Sequence, residues 1–445
     1  MLFKPFPFQD RVNAKLHRHG GRALLCAAPG LGKTPMAIRY AVETDSFPIA
    51  VACPSSVKLG WERECRKHFG IKAEVLEGTK PYELPERKVY SVNYDILHAW
   101  VPTLKAIPFK LTVGDEAHLV KSRRARRSKA FREMTRGIDK MLLLTGTPVL
   151  NRPAELWNLL NLLWPDMFPS YFSFCLRYAG AKRKFFGWDF SGASNLEELH
   201  DILKECGTVR VSRRIVEREL PKKQLLMLPM PLSNPKEYAE AKQDFLTWLK
   251  KISPQKAKRA AKAETLCRIS YMKRLAARLK MPSVFEWIDS FLEEDDGKLV
   301  VFAIHRKAVE ALAERYGHSC VVVDGSTPSE RRREMVDRFR SNPSIRVFVG
   351  NVQAAGVGLD GLQRASCVGL MAEMPWTPGE VQQAMGRLAR IGQEHPVRFF
   401  FAVAKGTVEE HLCELLQKKS RVIDAVMEGK EAGDLDIYNE LLKKI

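Results

Sequence analysis

No two of the nine cysteines form a C-x-x-C pair; they stand singly at Cys26, Cys53, Cys65, Cys175, Cys206, Cys267, Cys320, Cys367 and Cys413. That spacing excludes a cysteine-built zinc module and supplies no disulfide framework, so the thiols read as buried core groups. No apolar run approaches the roughly 20 residues that a membrane-crossing helix needs. The opening MLFKPFPFQD has neither the charged start nor the apolar stretch of a secretory signal. The expected compartment is the cytoplasm or, in a eukaryote, the nucleus. Internal repeats and low-complexity segments are also missing, which removes solenoid architectures from consideration. Acidic side chains are outnumbered: 52 Asp and Glu against 72 Lys and Arg leave a formal net charge of +20. An excess of that sign attracts phosphate backbones without regard to their sequence.

What is present suits two or three packed domains, since 445 residues exceed one ordinary domain and 45% of them are hydrophobic. Short aliphatic runs alternate with helical patterns in both halves. The first set is 23–28, 49–53, 89–92, 111–114 and 141–145; the second is 299–304, 320–324, 345–350, 366–372 and 397–403. Strands spaced by helices predict two α/β units with parallel sheets, whose ligands bind at the carboxyl ends of the strands. The expected division is an N-terminal lobe over 1–220, with a helical protrusion near 166–215, and a C-terminal lobe over 221–445. The second lobe carries a basic helical insertion near 235–290 and closing helices near 406–445. Residues 155–290 read as mainly helical and irregular, with Leu266, Ile269, Met272, Leu275 and Leu279 at the spacing of a core-facing stripe. Basic charge concentrates in two places. Residues 121–132 hold seven cations and no acid, and residues 251–280 hold ten cations against Glu264 alone. Such runs are commonly solvated faces; the position of the first, just after a chemical motif, argues for more.

That chemistry starts at APGLGKT, residues 28–34, between a predicted strand and a predicted helix. It reads as a phosphate-binding loop. The backbone of Pro29, Gly30, Leu31 and Gly32 curls its N–H groups toward phosphate oxygens, Lys33 reaches the outer phosphates and Thr34 ligates magnesium. Ala27 stands where the usual pattern begins with glycine, and Pro35 follows Thr34 directly. The next element, LTVGDEAH at 111–118, sets two carboxylates and a histidine at the end of an apolar strand. Asp115 is expected to hold magnesium and Glu116 to polarise the attacking water, because phosphoryl transfer rests on positioning and charge stabilisation. His118 is either a surface histidine or a relay from this site. In the other half, QQAMGRLARIGQ places Gln383, Arg387 and Arg390 at helical spacings that keep them near one face. Cations supplied there would stabilise the transferring phosphoryl group, a role worth roughly 3–5 orders of magnitude in related systems.

In order, these motifs resemble the ATPase core of the Swi/Snf family of DNA translocases within helicase superfamily two. The likeness runs through PFPFQ (5–9), the phosphate loop, ACPSSVKLGWERE (52–64), VNYDIL (92–97), DEAH, LLLTGTPVLNRPAELWNLLNLLWP (142–165), VFAIHRKAVEAL (301–312), VDGSTPSERRR (323–333), NVQAAGVGLDG (351–361) and the arginine motif. FGWDFSGASNLEEL (186–199) and the LPKKQ segment resemble the HARP-type annealing helicases in particular. The resemblance implies two RecA-like lobes that trap ATP and magnesium, in a monomeric motor moving along double-stranded or forked DNA. It implies that Gln9 reads the adenine edge beside Phe6 and Pro7. Thr145 and Thr147 would couple hydrolysis to lobe motion together with His118, and Gly358 and Asp360 would touch ribose and strand. Backbone contacts to the tracked strand would come from Ser55, Lys58, Trp61, Asn93, Tyr94, Lys121, His305, Gly325, Ser326 and Gln353. Two other readings stay open: a strand-separating helicase on DNA or RNA, and a nucleic-acid clamp without turnover, suggested by Ala27 and Pro35.

Overall fold

The computed structural model describes residues 3–146, 152–185, 187–211, 222–243, 264–352, 359–414 and 416, without side chains for 264–267 and 329. The described residues form two compact units, divided between Val211 and Lys222.

The first unit contains β1 (Arg22–Ala27), β2 (Ile49–Cys53), β3 (Ala73–Val75), β4 (Val89–Asn93), β5 (Leu111–Asp115), β6 (Lys140–Thr145), β7 (Lys182–Lys184), β8 (Gly187–Asp189) and β9 (Thr208–Val211). Seven of them make one parallel sheet in the order β3-β4-β2-β5-β6-β1-β9, while β7 and β8 pair as a separate antiparallel hairpin. Every residue of β2, β4 and β5 is buried, as strands covered on both faces require. Tight packing at one strand depends on a missing side chain. A Cβ on Gly114 would lie 2.8 Å from Leu143 and 2.9 Å from Phe131, so only glycine lets these groups close over β5.

The second unit contains β10 (Lys223–Met230), β11 (Leu299–Ala303), β12 (Cys320–Val323), β13 (Val347–Asn351), β14 (Val368–Met371) and β15 (Val397–Ala404). They form a parallel six-stranded sheet in the order β10-β15-β14-β11-β13-β12. The fold class is therefore the expected one: two parallel α/β sheets in two RecA-like lobes, with helices between the strands. Among the described residues the eight cysteines are free thiols, five of them buried, and no helix is long and apolar enough to cross a membrane.

The described part of 155–290 is mostly helical, as expected, but it also supplies the short strands β7 to β10. β9 is a four-residue strand at one sheet edge, in which only Val209 and Val211 are buried. β10 carries Lys223, Gln224 and Pro229, which an edge strand tolerates because one side of its ladder is unpaired. The apolar stripe on the 31-residue helix Glu264–Glu294 also needs correction. Met272, Leu275 and Leu279 are buried, but Ile269 is exposed, and the side chain of Leu266 lies outside the described residues. Residues 251–263 of the basic run 251–280 and most of the closing segment 406–445 also lie outside them.

That helix is anchored by an ion pair that excludes water. Lys280 Nζ lies 2.8 and 2.7 Å from the two carboxylate oxygens of Glu409 and donates to Ala402 O at 2.7 Å, and both side chains are fully buried. Glu409 also accepts from Ala404 N at 2.9 Å. Removing one partner leaves a buried charge alone, which costs about 3–5 kcal/mol. Lys280→Met is expected to lower unfolding stability by that amount, and Lys280→Met/Glu409→Gln to recover at least half of it in chemical denaturation. Equal instability of the two variants would mean that the orphaned charge is not the source of the loss.

Candidate functional site

At the carboxyl edge of the first sheet, β1 ends at Ala27 and the loop that follows enters the helix Lys33–Glu43. Gly30 and Gly32 have φ of +85° and +76°, a left-handed backbone that turns the loop back over the strand. Gly32 is required for a second reason, since a Cβ there would sit 2.6 Å from Gln9 Nε2. Gln9 is buried between two backbones: Phe6 N donates to its Oε1 at 3.0 Å, and its Nε2 donates to Leu31 O at 3.1 Å. Lys33 Nζ donates to Ala27 O at 3.0 Å, so the cation lies across the mouth of the loop. Pro29 packs against Gly146 at the end of β6, Leu31 is buried, and Thr34 is half-buried in the first helical turn. Neither unusual residue disturbs this arrangement. Ala27 is a buried strand residue offering its carbonyl, and Pro35 occupies the first turn, where an N–H has no intrahelical partner.

Sheet register brings the second motif beside the first. Cys26 pairs with Thr145 and Leu144 with Asp115, so β1, β6 and β5 end together. Asp115 is buried and held by donors: Trp61 Nε1 donates to Oδ2 and Glu116 N to Oδ1, both at 2.9 Å. Tyr94 donates its hydroxyl hydrogen to the Asp115 carbonyl, also at 2.9 Å. Burial pushes the Asp115 carboxyl up to about 6 and the Glu116 charge adds to this, while Lys33, Trp61 and the Glu116 N–H oppose it. Glu116 adopts φ +48°, uncommon for a residue with a side chain. That bend turns the chain into the short helix Ala117–Val120 and sets His118 Nδ1 3.3 Å from Glu116 Oε2 and 3.4 Å from Thr145 Oγ1. A loop of N–H donors, a lysine and two adjoining carboxylates thus meet on one edge, a donor set that fits a nucleoside triphosphate with its divalent cation.

In the second unit the helix Pro378–Met385 is started by Thr377, whose hydroxyl accepts from Glu380 N, and ends at Gly386. Gln383 is buried on it. Arg387 and Arg390 lie beyond its end, so a shared helical face is not what brings them together. Both instead donate to Leu359 O, at 2.6 and 3.3 Å, and Arg390 lies 3.3 Å from Asp360. Gln363 Nε2 donates to Asp360 Oδ1 at 3.1 Å, completing a cluster within this unit.

Comparison with known proteins agrees with these elements. Residues 11–279 match the SNF2-related domain and residues 283–392 the helicase conserved C-terminal domain. The chain belongs to the SNF2-related family. It is similar to the mouse (Mus musculus) DNA annealing helicase and endonuclease ZRANB3, with 32% identity over 96% of this chain and 41% of that one. It is also similar to the Bos taurus SWI/SNF-related matrix-associated actin-dependent regulator of chromatin subfamily A-like protein 1, with 34% identity over 94% of this chain and 44% of that one. The chain therefore spans about two fifths of the length of these relatives. A solved Sulfolobus solfataricus SWI2/SNF2 ATPase core in complex with dsDNA aligns over 100% of this chain and 99% of that one, at 22% identity and a TM-score of 0.44.

Within this SNF2-related chain, several positions expected to touch a nucleic-acid strand face inward. Trp61 and Tyr94 are 0% and 2% exposed and brace Asp115; they are the residues of the carboxylate site whose role the sequence reading missed. Asn93 is buried at the end of β4, and Lys58 is buried with its Nζ on Leu76 O at 2.7 Å, where burial lowers its basicity. Ser55, Gly325 and Ser326 are exposed, Ser326 donating to Asp324 Oδ1 at 2.7 Å. Lys121 is half-buried and paired with Glu155 at 2.9 Å. His305 pairs with the buried Glu373 carboxylate. Thr147, Gln353 and Gly358 lie outside the described residues.

The raised Asp115 carboxyl makes metal-free stability depend on pH. The folded state holds this proton up to about pH 6, and an unfolded Asp only to about pH 4. The stabilisation is full below the lower value and is lost as pH rises through the upper one. Between about pH 5 and pH 7.5 the stability of the wild type relative to Asp115→Asn is expected to fall by about 1 kcal/mol. Denaturant melts in chelator check this, and parallel pH profiles for the two proteins would refute it.

Proposed function

We propose that the chain hydrolyses ATP and uses the cycle to move along double-stranded DNA. The observation that carries this reading is the conjunction, on one sheet edge of an SNF2-related chain, of the glycine loop with Lys33 and the buried Asp115–Glu116–His118 constellation. In this proposal the N–H groups of residues 29–32 and the Lys33 ammonium bind the phosphates, with Lys33 exchanging the Ala27 carbonyl for phosphate oxygens. Gln9 would exchange a backbone partner for the adenine edge. Thr34 and Asp115 would hold Mg2+, which when bound neutralises developing charge on the phosphate oxygens. Glu116, kept close to His118, accepts a proton from the attacking water, and the contact between His118 and Thr145 passes the state of the site to the end of β6. Arg387 and Arg390 are proposed as the cations that the second unit contributes to the reaction, with Gln383 and Asp360 beside them. Ser55, Lys121, His305, Gly325 and Ser326 remain the proposed contacts to a DNA backbone.

DNA as the track is supported by the relatives, one named a DNA annealing helicase and endonuclease and the other a regulator of chromatin, and by the +20 charge. Annealing or fork remodelling is part of the same proposal.

Steady-state ATPase rates with no DNA, single-stranded DNA, blunt duplex and RNA test the reading at one fixed salt concentration. Strong stimulation by duplex is expected; preference for RNA or for single strands alone would replace the translocase with a conventional helicase. Glu116→Gln should lower kcat at least about 100-fold while ATP binding persists, and retained turnover would remove Glu116 as the base. Trp61→Phe keeps the packing and deletes one hydrogen bond to a carboxylate, so about a tenfold loss in ATPase with unchanged duplex affinity is expected. Loss of duplex affinity with normal ATPase would return Trp61 to the DNA surface.

A further inference from the structure

The first unit has a second concave site, remote in character from the carboxylate edge. A cleft of about 830 Å³ is lined by Lys121, Arg123, Arg124 and Arg152 together with Tyr171, Phe172 and Phe190. Its one carboxylate, Glu155, is paired with Lys121, which leaves three arginines as the net charge of the lining. The aromatic wall continues onto the β7–β8 hairpin. Phe172 meets Trp188 edge to face at 5.5 Å and Phe190 at 6.0 Å, and the Trp188 and Phe190 rings are parallel within 5°. Arg123 lies over the Tyr171 ring at 4.7 Å, so basic and aromatic groups of the lining are in direct contact. Phe172 and Trp188 are 44% and 46% exposed, a poor use of large rings in a core but a good one for stacking.

We propose that this cleft binds single-stranded DNA, its arginines contacting phosphates and Phe172 and Trp188 stacking on unpaired bases. Duplex DNA presents phosphates but hides the faces of its bases, so it satisfies only half of the lining. An acidic protein would satisfy the arginines and leave the ring faces without a flat partner. A basic groove with interleaved aromatic faces is the arrangement that recognises a strand with its bases exposed. The site would let a duplex-tracking motor sense an unpaired segment. It rests on the reading of this chain as a DNA motor but is tested separately, by binding without ATP.

The experiment compares Phe172→Ala/Trp188→Ala with wild type for equilibrium binding of a fluorescent oligothymidine of about 16 nucleotides and of a blunt duplex, at one salt concentration. Single-strand affinity should fall about tenfold or more, with duplex affinity and duplex-stimulated ATPase within about twofold of wild type. Unchanged single-strand affinity, or equal losses on both DNAs, overturns the proposal. A second test avoids aromatic substitution: Arg123→Gln/Arg124→Gln should flatten the salt dependence of single-strand binding by about 1.4 log units per log unit of salt, and an unchanged slope overturns it. In the wild type, an iododeoxyuridine oligonucleotide should photo-crosslink within residues 171–190; crosslinks found only elsewhere overturn it. Tighter binding of the corresponding RNA to the same cleft would overturn the assignment to DNA.

Discussion

A carboxylate taken out of water at the end of a fully buried strand governs the first unit. Asp115 cannot be solvated, so its charge exists only through the Trp61 N–H, the Glu116 N–H and the field of Lys33, and the adjoining Glu116 works against it. Desolvating such a group costs several kcal/mol, which hydrogen bonds at 2.9 Å offset in part. The remainder stays as a raised affinity for a proton. A divalent cation at the same place, as proposed for Mg2+, would relieve the same strain. Neighbouring choices follow from this. Tyr94 fixes the backbone under the carboxylate, and Gly114 allows Leu143, Phe131 and Tyr94 to approach close enough to exclude water from it.

The parts of this site that were legible from sequence are those whose chemistry is local. A glycine turn followed by lysine and threonine needs only positive φ and a helix start, and both occur where the apolar run of β1 stops. The DEAH segment was legible for the same reason, with the apolar strand β5 directly before it. Trp61 and Tyr94 were not. Their bonds to Asp115 span 54 and 21 residues, and only the pairing of β2 with both β4 and β5 brings them over the carboxylate. A usable signal existed, since both follow apolar strands, but family resemblance pointed to a solvent-facing role. The arginines failed in another way. A helical face is a local rule, and the helix stops at Met385, so Arg387 and Arg390 converge through a shared carbonyl, Leu359 O. The edge strands β9 and β10 were missed because a sheet edge demands neither length nor an uninterrupted apolar run.

The carboxylate edge and the basic cleft of the first unit are joined by one short stretch of chain. From Asp115 the backbone passes through the helix Ala117–Val120 and reaches Lys121, Arg123 and Arg124 within nine residues. The link is stiff: Leu119 N donates to Glu116 O at 2.9 Å, Lys121 N to His118 O at 3.3 Å, and the Val120 carbonyl accepts from both Ser128 and Asn158. A turn held at both ends by such bonds fixes the separation between Glu116 and the cationic rim of the cleft. The basic run at 121–132 therefore starts from a braced position rather than from a free loop, so its first cations keep a set place relative to the carboxylate edge.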